Sequence, residues 1–457
     1  MGRRPYNVRH WGPLIVLSGL LLAAALGLST ASAEDCNQRP DGPYDEASFV
    51  GSASCAECHR QHYDEWQGSA HAYAVVDPLF WAANEESYQV NGVENFCITC
   101  HSPPADLTNP EPVAHAVGQA DLFPAAQEGV NCETCHRIFD IQHGSKQLSK
   151  CEDYYFGPIP DTSGSPHGAE YSDDFEDPDF CKPCHDVNIS NATHDGLVQI
   201  EFTNTEWDEA NAAAGGDADN VVIPTCQECH MPAYTGPAAE GAVDRVVHRH
   251  QFVGVDVAIV PMADAHRQHR AVQELAATAA SIDTSVEGSD ILVEVRNNVI
   301  GHSLPTGSAH ARAVWVHLRV VGADGVVYLE SGDVDANGDL RDEHSEIDPF
   351  GDPWISSGES IFRQYMYDEN GEEVLAAYGE VRTVERQMLT SGEIRVIRYS
   401  LADLADEPAW PVTVEASLLF RPATNFILRA LGLPEEQIER VPTFTLATST
   451  LTIDGEG

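Results

Sequence analysis

Positive charge is scarce in this sequence of 457 residues. Lys and Arg together number 25 against 72 Asp and Glu, so the formal net charge is −47. Such acidity argues against nucleic acid and anionic membranes as partners, and it favours basic partners, cations or a saline medium. Hydrophobic residues still make up 42% of the chain, so it can bury a core and is not expected to be disordered. Its length predicts two or three domains.

Long hydrophobic runs are absent apart from one near the N-terminus. Arginines at positions 3, 4 and 9 precede an apolar run over 14–28, and Ala31-Ser32-Ala33 follows it. The run has about 15 residues, fewer than the roughly 20 that a membrane-spanning helix needs. We therefore favour a cleaved signal peptide over 1–33 rather than a retained anchor. The mature protein is then exported, to the periplasm or outside the cell, and has no membrane span.

Cysteines are also few, and their spacing carries the information. The chain has 12, too few for a disulfide scaffold. Ten of them form five copies of Cys-x-x-Cys-His, numbered here as motifs 1 to 5: Cys55, Cys58 and His59; Cys97, Cys100 and His101; Cys132, Cys135 and His136; Cys181, Cys184 and His185; Cys226, Cys229 and His230. The remaining two, Cys36 and Cys151, are candidates for a disulfide in an oxidising compartment.

Cys-x-x-Cys-His is the signature of covalent c-type haem attachment. The two thiols add to the vinyl groups of one porphyrin, and the adjacent imidazole binds the iron. A zinc site would pair two Cys-x-x-Cys units without requiring a histidine after each. The sequence therefore predicts five haem c groups. Consecutive motifs are separated by too little chain to wrap each haem in its own core, so the haems must lie close together and pass electrons.

Each iron also needs a sixth ligand if it is to be a low-spin electron carrier. Five histidines are the first candidates because most have Gly or Pro nearby, which fixes the backbone: His71, His143, His167, His250 and His302. Three further histidines are held in reserve: His115, His194 and His248. Sequence spacing does not determine which imidazole serves which haem.

Several stretches resemble known multihaem c-type cytochromes. The pattern Cys55-x-x-Cys58-His59…Trp66-x-x-Ser69-x-His71 is similar to the family of the nitrifiers' tetrahaem cytochrome and hydroxylamine oxidoreductase. Other stretches resemble multihaem cytochromes of bacteria that respire anaerobically with external acceptors: residues 156–187, 206–232 and the Gly301-His302…Pro305-Thr306-Gly307 box. The resemblance covers about residues 50–310. It implies stacked haems with two histidine ligands each, in an exported electron-transfer protein.

The same family contains enzymes as well as electron carriers, so alternatives stay open. No lysine replaces histidine in any motif, unlike in pentahaem nitrite reductases, and the cross-linking tyrosine context of hydroxylamine oxidoreductase is not evident. We therefore favour an electron carrier serving redox proteins or an extracellular acceptor. The alternatives are an oxidoreductase acting on a small nitrogen or sulfur compound at an open haem, and a subunit of a cytochrome filament formed by self-association.

The C-terminal third has a different pattern. Apolar or alternating stretches predict strands over 291–296, 313–321, 326–329, 360–366, 394–399, 412–420 and 443–446. Helices are predicted over 265–281 and 425–431. The expected fold is α+β and multidomain: a helical, loop-rich pentahaem domain over 34–284, then an immunoglobulin-like β-sandwich over 285–457. The sandwich could cap haem edges, dock partners or other copies, or bind a substrate.

A short acidic segment in the sandwich resembles the start of a calcium loop. Its oxygen-bearing side chains alternate, with a glycine at the turn: Asp333, Asp335, Asn337 and Asp339. The closing Glu is missing, since His344 stands at that position. The alternative to a calcium site is a plain acidic hairpin.

Overall fold

The computed structural model of the chain describes residues 43–91, 96–108, 122–142, 145–148, 151, 153–190, 197–215, 222–345, 359–374, 381–404 and 406–455. The predicted signal peptide over 1–33 and Cys36 lie outside these ranges, as do His115, His143 and His194. Cys151 is disulfide-bonded, and its predicted partner, Cys36, lies outside the described residues, so the pairing stays a prediction. No helix in the described ranges has the length and apolarity needed to cross a membrane.

The N-terminal part is built from short helices separated by loops. Their bounds, in chain order, are α1 Ser52–Cys55, α2 Arg60–Trp66, α3 Ala70–Tyr73, α4 Pro78–Asn91, α5 Ile98–His101, α6 Pro103–Thr108, α7 Cys132–His136, α8 Lys182–His185, α9 Thr203–Gly215, α10 Cys226–His230 and α11 Ala265–Ala279. Most have only one or two turns, too short to be stable without tertiary contacts.

Four two-stranded sheets lie between these helices. Antiparallel pairs join β1 Ile138–Gln142 with β2 Ser145–Leu148, β5 Val187–Ser190 with β6 Leu197–Glu201, and β7 Ala233–Pro237 with β8 Asp244–His248. The pair of β3 Tyr154–Gly157 and β4 Gly168–Tyr171 is parallel. The three hairpins each start within three residues of a motif histidine.

From Ala280 onwards the described chain is mostly β-structure. Its strands are β9 Ala280–Glu287, β10 Asp290–Asn297, β11 Ala313–Val321, β12 Val327–Ser331, β13 Ile361–Phe362, β14 Gln364–Tyr367, β15 Thr383–Arg386, β16 Ile394–Ser400, β17 Val412–Arg421 and β18 Phe444–Ile453. One sheet has the order β16-β10-β9, and a second has the order β12-β11-β17-β18 with β13 also paired to β11. Helices α12 Asn425–Ala430 and α13 Glu435–Ile438 precede β18.

The largest core lies between these two sheets. Burial alternates along β10 and β17, as expected for strands that present one face to a core. Val293, Val316 and Leu418 are fully buried there, and Val272 of α11 packs against the same cluster. This core has 24 buried hydrophobic residues, whereas a typical cluster around the motifs has six. The helical part therefore has little apolar protein core of its own within the described residues.

The fold class predicted from sequence is confirmed: a helical, loop-rich region is followed by packed antiparallel sheets in an α+β, multidomain chain. The predicted helices over 265–281 and 425–431 are also confirmed as α11 and α12. The exact domain boundaries, 34–284 and 285–457, stay a prediction. The secondary structure changes between Ala279 and Ala280.

Candidate functional site

The five motifs share one local geometry. Each lies on a single helical turn, and in motifs 1, 2 and 4 the histidine N–H donates to the carbonyl of the first cysteine, as for His59 and Cys55 at 2.8 Å. Such a turn places residues i, i+3 and i+4 on one face, so both thiols and the imidazole project together. Side chains cap two of these turns: Asn131 caps α7, and Thr225 with Glu228 forms a capping box on α10.

Hydrogen bonding orients the motif imidazoles. In four motifs the ring Nδ1–H donates to a main-chain carbonyl: His59 to Ala238 at 2.7 Å, His101 to Ala74 at 2.9 Å, His136 to Phe156 at 2.8 Å and His230 to Val253 at 2.6 Å. A carbonyl oxygen can only accept, so the proton is on Nδ1 and the Nε2 lone pair remains available to a metal. The protein thus fixes both the tautomer and the ring orientation.

Three of the predicted sixth ligands are oriented in the same way. The Nδ1–H groups donate to carbonyls close in sequence: His167 to Gly168 at 2.9 Å, His250 to His248 at 2.9 Å and His302 to Ser303 at 2.8 Å. Desolvation by the surrounding protein lowers the pKa of His302 to about 4 and places the pKa of His250 well below its usual range. Both imidazoles are therefore neutral at pH 7, the form that binds metal.

Four motif histidines each face one predicted sixth ligand. The ring centres are 6.3 Å apart for His59 and His167, 6.3 Å for His71 and His185, 6.2 Å for His136 and His250, and 6.4 Å for His230 and His302. Two imidazoles bound at about 2 Å on opposite sides of one metal place their ring centres roughly 6 Å apart. Imidazole pairs at this separation, with a thiol pair beside each, fit haem c. The ligand assignments themselves stay predictions.

Motif 2 differs from the other four. The ring of His101 stacks on Phe80, with centroids 4.3 Å apart and planes inclined by 15°. Within the described ranges no second imidazole faces it. His143, the remaining first-choice ligand, lies outside those ranges, as do the reserves His115 and His194. The third reserve, His248, donates its Nδ1–H to the Met231 carbonyl at 2.7 Å.

The motifs contact one another in a definite pattern. The thiols of Cys55 in motif 1 and Cys132 in motif 3 lie close enough to influence each other's ionisation, as do those of Cys181 in motif 4 and Cys226 in motif 5. Cys135 of motif 3 is close enough to influence the ionisation of Cys181. Motif 2 meets motif 4 where the Cys100 Sγ lies 3.9 Å from the Pro183 carbonyl oxygen.

Sequence reasoning missed three side chains around these motifs. Glu201 accepts a hydrogen bond from the Nδ1–H of His185 at 2.9 Å. His62 lies 4.6 Å from His250 between ring centroids. His310 has a pKa lowered to about 4 by desolvation, and its Nδ1 has no partner among the described residues. No spacing pattern in the sequence marks these three.

The carboxylates of the acidic segment over 333–339 form ion pairs and hydrogen bonds with other groups of the protein. Asp333 pairs with Arg341 at 2.7 Å, and Asp339 forms an ion pair with Arg429. Asp335 accepts hydrogen bonds from the N–H groups of Asn337 and Asp339. The described residues contain no group of three or more Asp, Glu, His or Cys able to hold a metal ion. This geometry favours the acidic hairpin, and the calcium site stays an unconfirmed prediction.

Comparison with known proteins gives a family likeness in the N-terminal part of the chain. The profile of the family described as "Cytochrome c554 and c-prime" matches residues 54–137, which include motifs 1 to 3. No curated protein sequence matches the chain significantly.

A structural likeness extends over most of the molecule. A penta-haem cytochrome c552 from Thermochromatium tepidum superposes with a TM-score of 0.60 and 21% sequence identity, covering 89% of this chain and 99% of that one. At this identity the likeness shows the fold alone. Together with the family profile, it supports the expectation of a multihaem c-type cytochrome.

Proposed function

We propose that this chain transfers electrons through five covalently bound c-type haems in the periplasm or outside the cell. The observation that carries the proposal is the set of four imidazole pairs with ring centres 6.2–6.4 Å apart. Each pair includes the histidine of a Cys-x-x-Cys-His motif. The family whose profile matches and the structural relative are both cytochromes, which adds support.

The protein's part in this function is to hold each iron in one geometry. A bound haem supplies an iron that takes up and releases one electron. The motif thiols would attach the porphyrin, and in motifs 1, 3, 4 and 5 the paired imidazoles would bind its iron. Carbonyl acceptors such as those of Ala238 and Ser303 hold the rings in place. Imidazoles held in this way would not have to move when a bound iron gained or lost an electron.

Contacts between motifs support a connected path for electrons. Motif 1 lies beside motif 3, motif 3 lies beside motif 4, and motif 4 lies beside motif 5. Motif 2 joins this row at motif 4 through Cys100 and Pro183. Motif 4 is therefore the junction at which motif 2 joins the row formed by motifs 1, 3, 4 and 5.

The β-rich part contributes directly to this path. His302 lies in the loop between β10 and β11, yet its ring faces His230 of motif 5 within the same chain. Its box is held by Glu206 of α9, which accepts from the Ser303 N–H at 3.2 Å and from the Thr306 hydroxyl at 2.5 Å. An imidazole from a second copy is not needed to complete this pair. Self-association into oligomers or filaments stays a prediction, as does kinship with hydroxylamine oxidoreductase.

One observation favours a second function. His101 stacks on Phe80 where the other four motif histidines each face an imidazole, so motif 2 is the candidate site for this function. An open iron would allow the chain to act as an oxidoreductase on a small nitrogen or sulfur compound. This alternative requires only motif 2 to differ, and it leaves the other four motifs as an electron path to the reacting centre.

Low-temperature EPR on the oxidised protein, combined with a pyridine haemochrome count, tests both functions. The electron-carrier proposal expects five haems per chain, with at least the four paired irons low-spin. A high-spin signal equal to one haem would favour the oxidoreductase and direct substrate assays to motif 2. Fewer than four low-spin irons in a fully loaded chain would contradict the proposal.

A further inference from the structure

Glu201 sets motif 4 apart from the other motifs. The Nδ1–H groups of the other four motif histidines donate to neutral main-chain carbonyls. That of His185 donates to a carboxylate, the Glu201 Oε1, at 2.9 Å. Among the described motif histidines, His185 alone has a hydrogen-bond acceptor that carries a full negative charge.

The fold directs this carboxylate to the ring. Strand β5 begins at Val187, two residues after His185, and Glu201 ends the partner strand β6 directly opposite Val187. The hairpin thus brings the last residue of β6 back to the end of motif 4. Gln199, two residues before Glu201, donates a hydrogen bond to Asp186 and accepts one from Arg386. The position of Glu201 therefore follows from the strand register.

The surroundings leave the charge of Glu201 facing His185. Its only ion pair among the described residues is with this imidazole. Arg312 is near enough to influence Glu201 electrostatically, but the Arg312 guanidinium is engaged by Asp256 at 3.1 Å and by the Thr306 carbonyl at 2.6 Å. The side chain of Glu201 is 22% exposed, so water screens it only in part.

A carboxylate acceptor changes how strongly the imidazole binds metal. Hydrogen bonds to charged acceptors are roughly twice as strong as those to neutral ones, and they draw the Nδ1 proton away from the ring. Nε2 becomes the better electron donor, as in carboxylate–histidine–metal arrangements. A stronger donor stabilises ferric over ferrous iron, which lowers the reduction potential.

We propose, on the basis of the proposed function, that Glu201 gives the iron held by motif 4 the lowest reduction potential of the four irons between paired imidazoles. Motif 4 is the junction where motifs 2, 3 and 5 meet, so Glu201 controls the central step of the path. It acts through His185 and is a positioning residue. Because of this low potential, electrons would reside on the haems of the other motifs more than on the haem of motif 4.

The test is a spectroelectrochemical titration of the full-length, haem-loaded protein and its Glu201→Gln variant. Gln keeps the size and a neutral oxygen acceptor but removes the charge. The low-spin haem with the lowest reduction potential should shift upward by about 59 mV, which corresponds to a tenfold change in the equilibrium constant for one electron. The other components should stay close to their original values, and EPR should show unchanged low-spin content.

Two further variants provide controls. Glu330→Gln removes a carboxylate that contacts the imidazole of His317 at 3.0 Å, a histidine outside the motifs and their paired ligands, and it should leave the lowest component in place. Glu201→Asp keeps the negative charge, so the motif 4 iron should retain part of its lowered reduction potential. This variant also tests the inference if Glu201→Gln does not load haem. An equal shift of all components would indicate a general charge effect and overturn the inference.

The outcomes separate this inference from the proposed function. Four or more low-spin irons with a lowest potential unmoved in Glu201→Gln would overturn the role of Glu201 and leave the electron-transfer proposal intact. Fewer than four low-spin irons in the unaltered protein would overturn the proposed function, and the inference would fall with it.

Discussion

At the scale of single residues, the hydrogen bond on one ring nitrogen determines what the other nitrogen can do. His230 and His302 each donate Nδ1–H to a carbonyl and leave Nε2 for a metal. His344, in the β-rich part, uses both nitrogens differently. Its Nδ1 lies 3.1 Å from Glu343 and its Nε2 lies 2.9 Å from Glu373. Two carboxylates make this ring a charged structural group rather than a ligand.

The cluster around His344 predicts a pH dependence of stability. Burial lowers the pKa of His344, but hydrogen bonds with Glu343 and Glu373 outweigh it and raise the pKa to about 9. Burial raises the pKa of Glu343, but Arg363 and His344 lower it to about 2. The contribution of His344 is thus complete below pH 6.5 and lost as the pH rises through 9. That of Glu343 is complete above pH 4.5 and lost as the pH falls towards 2.

Thermal unfolding followed between pH 3 and 10 should therefore show highest stability between about pH 4.5 and 6.5. The loss from His344 on the alkaline side is roughly 3 kcal/mol, since only 9% of its side chain is exposed. His344→Gln should flatten the curve between pH 6.5 and 9. The more exposed His317, paired with Glu330 at 3.0 Å, provides the control as His317→Gln. An alkaline decline unchanged by His344→Gln would contradict the assignment.

At the scale of elements, the short helix α3 depends on a glycine turn from another part of the chain. Gly129, just before α7, has φ +70°, and the following residue, Val130, donates its N–H to the His71 carbonyl at 3.0 Å. A Cβ at position 129 would lie 2.5 Å from that same carbonyl oxygen. The turn that precedes motif 3 therefore fixes the helix that carries His71 towards motif 4.

Gly129→Ala should displace α3 and move His71 away from His185. The left-handed backbone alone costs about 1–3 kcal/mol for a residue with a side chain, and the carbonyl contact adds to it. EPR should show a new high-spin iron in addition to a lower melting temperature. Gly241→Ala is the matched control, because Gly241 has φ +80° with nothing within 4 Å of the added Cβ. It should lower stability without new high-spin signal, and equal spectra for both variants would contradict the mechanism.

Elements with a strong periodic pattern could be predicted from the sequence. The stretch over 313–321 coincides with β11, and the helix predicted over 265–281 is α11. Strand β9 was missed because Ser281, Asp283 and Ser285 interrupt its apolar residues, so its first residues were assigned to the preceding helix. The stretch predicted over 360–366 is two short strands, β13 and β14, which pair with different partners.

The candidate site was predictable in part, for a similar reason. The motifs are local in sequence and therefore readable, whereas the imidazole pairs join segments that only the tertiary fold brings together. Thus His167 faces motif 1 although it lies just before motif 4, and His71 faces motif 4 although it follows motif 1. Glu201 depends on strand register and had no sequence signal.

At the scale of the whole molecule, the helical and β-rich parts are joined by more than the chain connection. Gln268, Val272 and Ala276 of α11 are buried, and Val272 and Ala276 belong to the core between the sheets. A second cluster joins Tyr73 and Ile259 to Leu428 near the C-terminus. With His302 facing His230, these contacts support cooperative unfolding of both parts in the haem-loaded protein.

The net charge of −47 predicts how redox reagents approach this molecule. Long-range attraction raises the association rate of oppositely charged reactants, and salt screens it over about 10 Å at 0.1 M. Oxidation of the reduced protein by a tripositive metal complex should slow several-fold between 10 mM and 300 mM salt. Oxidation by a trinegative complex should accelerate over the same range, because salt screens the repulsion.

Stopped-flow absorbance measures both rates, and the opposite signs control for salt effects on the protein itself. Equal salt dependence for the two reagents would mean that electrons leave through a region where the acidic surface has no influence, and basic redox partners would lose their physical rationale.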